Sequence, residues 1–206
     1  MVRTTSRPRV GILALQGDVR EHAGVLTQLG AEVVLVRRAE EVAAIDGLVI
    51  PGGESSVIDK LARSFGVRES IREAIGAGLP VYGTCAGLIL LADRITDGIA
   101  GQQTFGGLDV TVRRNAFGTQ ADSFETDLDV PALGAQAVHA VFIRAPLVEQ
   151  VGGAVDVLAT LPDDRIVAVR QGHVMGTSFH PEVTGEHRFH ALFLDMIAAR
   201  AAAAAA

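Results

Sequence analysis

The chain is poor in cysteine, lysine and aromatic side chains, and each shortage excludes something. Cys85 is the only cysteine among 206 residues. It has no partner for an internal disulfide and cannot supply a multi-cysteine zinc site. There is no Trp and a single Tyr, so few platforms exist for stacking bases. Lys+Arg total 18 against 24 Asp+Glu, a net charge of -6, where a phosphate-backbone binder is usually basic. Nucleic acid is therefore not an expected partner. Lys60 is the only Lys, which reads as compositional bias. No apolar run approaches the length that spans a bilayer, so no membrane segment is expected. Residues 1–9 are polar and basic, with no apolar leader core, and the expected compartment is the cytoplasm. Hydrophobic residues make up 49% and charged residues 20%, the balance of a chain with a full core.

The hydrophobic pattern predicts an α/β fold. Short apolar runs at 10–15, 32–36, 46–50 and 79–83 read as strands covered on both faces. Helical spacing at about 19–29, 56–64, 67–77 and 86–93 separates or follows them. This alternation argues for a three-layer sandwich around a mostly parallel central sheet, flavodoxin-like in kind. After about residue 105 the runs shorten. Segments 108–113, 122–128, 137–143, 155–160, 166–170 and 174–178 read as a short-strand, mixed or antiparallel extension of that sheet. A last helix is expected over 186–200. The expected organisation is a loosely ordered segment at 1–9, one domain over 10–200, and an Ala tail at 201–206, either added or a fraying helix end.

Gly83-Thr84-Cys85-Ala86-Gly87 fits a nucleophile elbow with Cys in the nucleophile position, between a strand and an apolar helix. Such a turn is too tight for large neighbours and lifts the nucleophile above the carboxyl ends of the strands, where open α/β sheets bind ligands. The positive helix end favours thiolate over thiol. The bland reading is a small buried Cys in a glycine-rich turn.

A thiolate nucleophile needs a base oriented by a third group. Ser178-Phe-His-Pro-Glu182 follows an apolar strand. His180 and Glu182, two apart in an expected extended segment stiffened by Pro181, would project to one side. Glu182 would then fix the tautomer while the other imidazole nitrogen faces Cys85. A capping or core role for His180 is the bland alternative. His187 and His190 mimic a metal spacing with His180 but are expected on a solvated helix face, and no metal site is expected. His22, His139 and His173 show no obvious partner set. Pro51-Gly52-Gly53-Glu54-Ser55-Ser56 follows a strand and opens a helix. Its glycines suit it to donate backbone N–H groups to an oxyanion, with the N–H of Ala86 as the second donor. It reads equally as a turn and helix cap, and the phosphate-loop pattern is absent.

Gly83-Thr-Cys-Ala-Gly87, Pro51-Gly-Gly-Glu54 and His180-Pro-Glu182 together resemble the class I, triad-type glutamine amidotransferases. Leu15-Gln-Gly-Asp-Val-Arg-Glu-His22, Arg114-Asn-Ala-Phe-Gly118 and Phe142-Ile-Arg-Ala-Pro146 are similar to the glutaminase subunits of pyridoxal 5′-phosphate synthases. The resemblance runs from about Val10 to Arg200. It implies hydrolysis of L-glutamine to glutamate and ammonia, without a cofactor. It also implies that the partner taking up the ammonia is a barrel-type synthase subunit. Carried over, it makes Cys85 the nucleophile, His180 the base and Glu182 the orienting carboxylate. Gly53 and Ala86 supply the oxyanion hole, and Gly53, Glu54, Ser55, Arg114, Ile143 and Arg144 bind glutamine. Arg114 or Arg144 suits the substrate α-carboxylate, and Glu54 suits the α-ammonium. The Gln16-Gly17 turn is the expected element through which the partner regulates the site.

Overall fold

The computed structural model describes residues 7–116 and 123–205. Segments 1–6, 117–122 and residue 206 lie outside them. So do most of the loosely ordered segment expected at the start, the last Ala of the tail, Asp122, and Phe117 and Gly118 of the Arg114–Gly118 stretch.

The first half alternates as the pattern requires. Strands β1 (Arg9–Leu13), β2 (Glu32–Val36), β3 (Gly47–Ile50) and β4 (Val81–Thr84) are separated by helices α1 (Val19–Gln28), α2 (Ala39–Val42), α3 (Ser55–Ser64) and α4 (Val67–Gly76). Helix α5 (Ala86–Leu91) follows β4 and runs straight into β5 (Ala92–Thr96). Then come β6 (Leu108–Arg113), β7 (Ser123–Leu128), β8 (Val138–Ile143), β9 (Leu147–Val151), β10 (Asp156–Thr160), β11 (Ile166–Gln171) and β12 (Val174–Thr177). The one-turn helix α6 (Pro181–Thr184) and α7 (Arg188–Ala204) close the described chain.

Among the described residues the main sheet runs β2-β1-β3-β4-β12-β11-β9-β6-β5, with β10 on β11. The block from β2 to β12 is parallel. The pairs β12–β11, β11–β9 and β9–β6 are antiparallel, which is the mixed extension expected. One part of that expectation fails: β7 and β8 form a separate two-stranded ribbon.

Side chains alternate across a strand, and the strands here feed two cores. Leu48 and Ile50 of β3 join the cluster with Val42, Ile58, Ala62, Val67, Ile71 and Leu88 from α2–α5. Val49 joins the opposite cluster, with Tyr82, Leu26 of α1, Phe189 and Phe193 of α7, and Phe142 of the ribbon. Helices on both faces of one sheet make the three layers. Arg9, expected in the loose segment, is already paired in β1, and its N–H donates to Asp46 Oδ2 at 2.8 Å. Helix α7 continues through the Ala run to Ala204. No helix among the described residues is long and apolar enough to cross a membrane.

Because β1, β3, β4 and β12 are parallel neighbours, the loops that leave their carboxyl ends emerge side by side. These loops carry Gln16–Asp18, Pro51–Glu54, Cys85 and His180.

Candidate active site

The register of β4 on β12 sets the distances. Gly83 pairs with Gly176 and Thr84 with Thr177, so the chain on one side enters Cys85 as the other enters Ser178. The Cys85 N–H donates to Thr177 O at 2.8 Å. Cys85 adopts φ 47° and ψ -100°, a conformation a side chain tolerates only when its surroundings enforce it. The flanking glycines let the turn pack this tightly. A Cβ on Gly83 would lie 2.5 Å from the Gly87 carbonyl carbon, and one on Gly87 would lie 2.1 Å from Ile50 O. Only hydrogen fits at either position.

His180 is held from three sides. Its N–H donates to Val141 O at 3.1 Å, and Phe179 packs between Phe142 and Phe189. Gly52 lies against the ring, so a Cβ there would be 2.4 Å from His180 Cε1. The Nδ1 hydrogen bonds Glu182 Oε1 at 2.9 Å and lies 3.3 Å from Asp18 Oδ2. The connecting segment corrects the expectation of extended chain. Pro181 occupies the first turn of α6, where its missing N–H is harmless, and Glu182 meets His180 across that helical turn. Burial draws the imidazole down, but its bonds to Asp18, Cys85 and Glu182 prevail, and it is pushed up to about 12. Burial pushes the Glu182 carboxyl up, with His180 drawing it partly back.

A cavity beside Cys85 is lined by Gly53, Glu54, Ser55, Ile89, Arg114, Asn115, Ile143 and Arg144. Arg114 is 7% exposed, so it is no surface ion-pair residue. Its guanidinium donates to Glu54 Oε1 at 2.8 Å and to Gln102 Oε1 at 3.0 Å. Gln102 Nε2 donates to Ser55 Oγ at 3.0 Å. Glu54 also caps α3 by accepting from the Ser56 N–H. The two charges assigned to the two ends of glutamine thus hold each other here. The turn after β1 is tied to the same loop. Glu54 N–H donates to Gln16 Oε1 at 2.7 Å and Asp18 N–H to Gly52 O at 3.1 Å. Gly17, at φ 107°, lets the two backbones meet, since a Cβ there would be 1.8 Å from Gly52 O.

A model of the SNO glutamine amidotransferase family matches residues 12–199. The chain belongs to this family. A relative from Leifsonia xyli subsp. xyli, named pyridoxal 5′-phosphate synthase subunit PdxT, is 66% identical over 187 residues, 91% of this chain and 94% of that one. A relative of the same name from Acidothermus cellulolyticus is 56% identical over 205 residues, 98% of this chain and 99% of that one. A solved glutamine amidotransferase superposes with TM-score 0.85 at 47% identity, over 92% of this chain and 98% of that one. A second solved structure, a putative GMP synthase subunit from Thermoplasma acidophilum, shares the fold at TM-score 0.71 and 15% identity, over 98% of this chain and 99% of that one.

Several residues of this candidate site go beyond those the sequence predicts. Asp18 and Gln102 contact predicted site residues directly, and Ile89 and Asn115 line the cavity. The other histidines have partners that the sequence pattern does not show, and one of them lies on a different face. His190 is fully buried, not on a solvated face, and its Nε2 meets His22 Nδ1 at 2.9 Å. His139 bonds Asp127 and Glu125 of its own ribbon, and His173 Nε2 meets Ile75 O. The one cluster of metal-type donors among the described residues is Asp18, His180 and Glu182, not the His180–His187–His190 spacing.

Proposed function

We propose that this glutamine amidotransferase is the glutaminase subunit of a pyridoxal 5′-phosphate synthase, the enzyme of which its relatives are named as subunits. It takes L-glutamine and hands ammonia to a barrel-type synthase oligomer. The observation that carries the reading is the convergence of Cys85, His180 bonded to Glu182, and the Arg114–Glu54 cavity at the carboxyl ends of the parallel strands.

The Cys85 thiolate attacks the side-chain amide carbon of glutamine. The C–N bond breaks, His180 gives its proton to the departing ammonia, and a thioester remains. His180 then takes a proton from water as the water adds to the thioester carbon. The C–S bond breaks and glutamate leaves. Glu182 holds Nδ1–H throughout, so the opposite nitrogen does the proton transfer. Backbone N–H groups of Gly53 and Ala86 receive the oxyanion. Arg114 with Arg144 takes the substrate α-carboxylate, and Glu54 the α-ammonium, so binding exchanges the internal Arg114–Glu54 pair for two pairs to substrate. Gly53, Ser55 and Ile143 shape the cavity. The Gln16-Gly17 turn, bonded to the oxyanion loop, is the element that docking of the synthase reorders. Residues 10–200 act as one glutaminase unit.

The test is ammonia release from glutamine, with and without the synthase. The reading requires turnover that rises when the partner is added and vanishes in Cys85→Ala while partner binding persists. Full activity in Cys85→Ala would overturn it.

A further inference from the structure

A pair of histidines lies directly behind the Cys85–His180–Glu182 centre, and the proposed chemistry makes no use of it. His22 from α1 and His190 from α7 are both fully buried. Their rings meet at Nδ1 and Nε2, 2.9 Å apart. The other nitrogen of His22, Nε2, lies 3.1 Å from Thr84 Oγ1 and 3.5 Å from Glu182 Oε1. His22 therefore touches both the residue before the nucleophile and the carboxylate that holds the base.

The protons on this chain of rings can be assigned. His190 Nδ1 is buried and has no hydrogen-bond partner among the described residues. A buried N–H without an acceptor is costly, while a bare ring nitrogen is less so. The His190 proton thus belongs on Nε2 and is donated to His22 Nδ1. Burial, with His190 and His180 close by, holds His22 well below its ordinary value, so the ring is neutral and carries one proton. Burial likewise holds His190 down, to about 4. With Nδ1 accepting, the His22 proton sits on Nε2. The opposite assignment would strand the His190 N–H and turn a lone pair of His22 toward the Glu182 carboxylate.

We propose that His22 is a positioning residue for the reaction: its Nε2–H, fixed in that tautomer by His190, steadies Glu182 Oε1 and Thr84 Oγ1 behind the catalytic pair. The need for it is visible in Glu182 itself. The carboxylate is buried, its Oε2 has no partner among the described residues, and Oε1 alone faces His180 and His22. An N–H dipole 3.5 Å from Oε1 favours the ionised carboxylate, and an ionised Glu182 is what holds His180 in its working tautomer. The proposal rests on the glutaminase reading of Cys85, His180 and Glu182.

The test uses the full chain with its synthase partner and compares His22→Leu with His22→Gln, whose amide nitrogen reaches the Nε2 position. Loss of the hydrogen bond to Thr84 and of an N–H 3.5 Å from the carboxylate predicts that His22→Leu lowers kcat on the order of 3- to 10-fold, with KM little changed. The acid limb of its kcat profile moves to higher pH, because Glu182 protonates more readily without the donor. The groups facing this centre are Asp18, Tyr82, Cys85, His180, Glu182 and His190, with His187 and Glu186 acting on His190. All of these stay in place in both variants. His22→Gln restores most of kcat and the wild-type limb. Unchanged kcat in His22→Leu, or equal losses in both variants with an unmoved limb, would overturn the proposal in favour of packing alone. If His22→Leu fails to fold, imidazole 15N shifts of the wild-type chain decide: His22 protonated at Nε2 supports the proposal, and protonation at Nδ1 overturns it. That measurement needs no turnover. A wild-type chain without glutaminase activity would thus sink the functional reading separately from this one.

Discussion

His180 Nδ1 and Glu182 Oε1 are 2.9 Å apart, both buried, and joined across the first turn of a four-residue helix. Asp18 approaches the same nitrogen at 3.3 Å. One N–H thus faces two carboxylates of unequal standing: Glu182 is sealed in the protein, and Asp18 is partly open to solvent.

The buried carboxylate is expected to dominate. Glu182→Gln should lower glutaminase kcat by about 10²–10⁴, the range for losing an effective base. Asp18→Asn should cost less than about tenfold, because a partly exposed charge is screened by solvent. Steady-state ammonia release in the presence of the synthase checks both, and equal losses would contradict the ranking.

Against burial, Asp18, Cys85 and Glu182 together keep His180 protonated, pushed up to about 12. A histidine raised in the folded state above its ordinary value of about 6.5 stabilises fully below that pH and loses the contribution as pH climbs toward the raised value. At pH 8 the ring should therefore still show two protonated nitrogens in 15N spectra. A neutral imidazole at pH 8 would contradict this.

The glycines of the elbow are required by space. Gly87→Ala puts a methyl 2.1 Å from Ile50 O, which is backbone and cannot yield cheaply. Overpacking of this kind costs about 1–3 kcal/mol or more, and Tm should fall by several degrees. Gly24 in α1 has nothing within 4 Å of an added Cβ. There the change to Ala should raise stability by about 0.5–1 kcal/mol through helix propensity. Thermal melts of the two variants should move in opposite directions.

Arg114 is set by Gln102 and Glu54 in a fixed fork. Arg114→Lys keeps the charge but not the fork, and KM for glutamine should rise about 10- to 100-fold, the worth of a hydrogen bond to a charged group. Gln102→Ala, which frees Arg114 and Ser55 without touching charge, should raise KM only a few-fold. Initial-rate measurements separate the two.

Much of this was legible in the chain because it is encoded locally. The elbow glycines, the Pro51–Ser56 loop and the short apolar runs of the strands each announce themselves within a few residues. What stayed hidden depends on neighbours or on missing punctuation. Helix α5 passes into β5 between Leu91 and Ala92 with no turn residue to mark the change. Strand β9, Leu-Val-Glu-Gln-Val, has too little alternation to stand out. Pro181 read as a stiffener of extended chain, whereas it starts a helix. The polar neighbours Glu186 and Arg188 suggest a solvated face for His190, yet it shares a helical stripe with Phe193 and Ile197. His22 likewise precedes Val25, Leu26 and Leu29 at helical spacing. Those stripes were the available signal for the buried pair.

The central claim is that Cys85 is the nucleophile of a glutamine-binding centre. The most direct measurement is peptide mapping after treatment with a chloroketone analogue of glutamine, in the presence of the synthase. The account requires one label per chain, on Cys85, with ammonia release lost in step and glutamine protecting against both. Labelling elsewhere, or full turnover once Cys85 is completely modified, would contradict it.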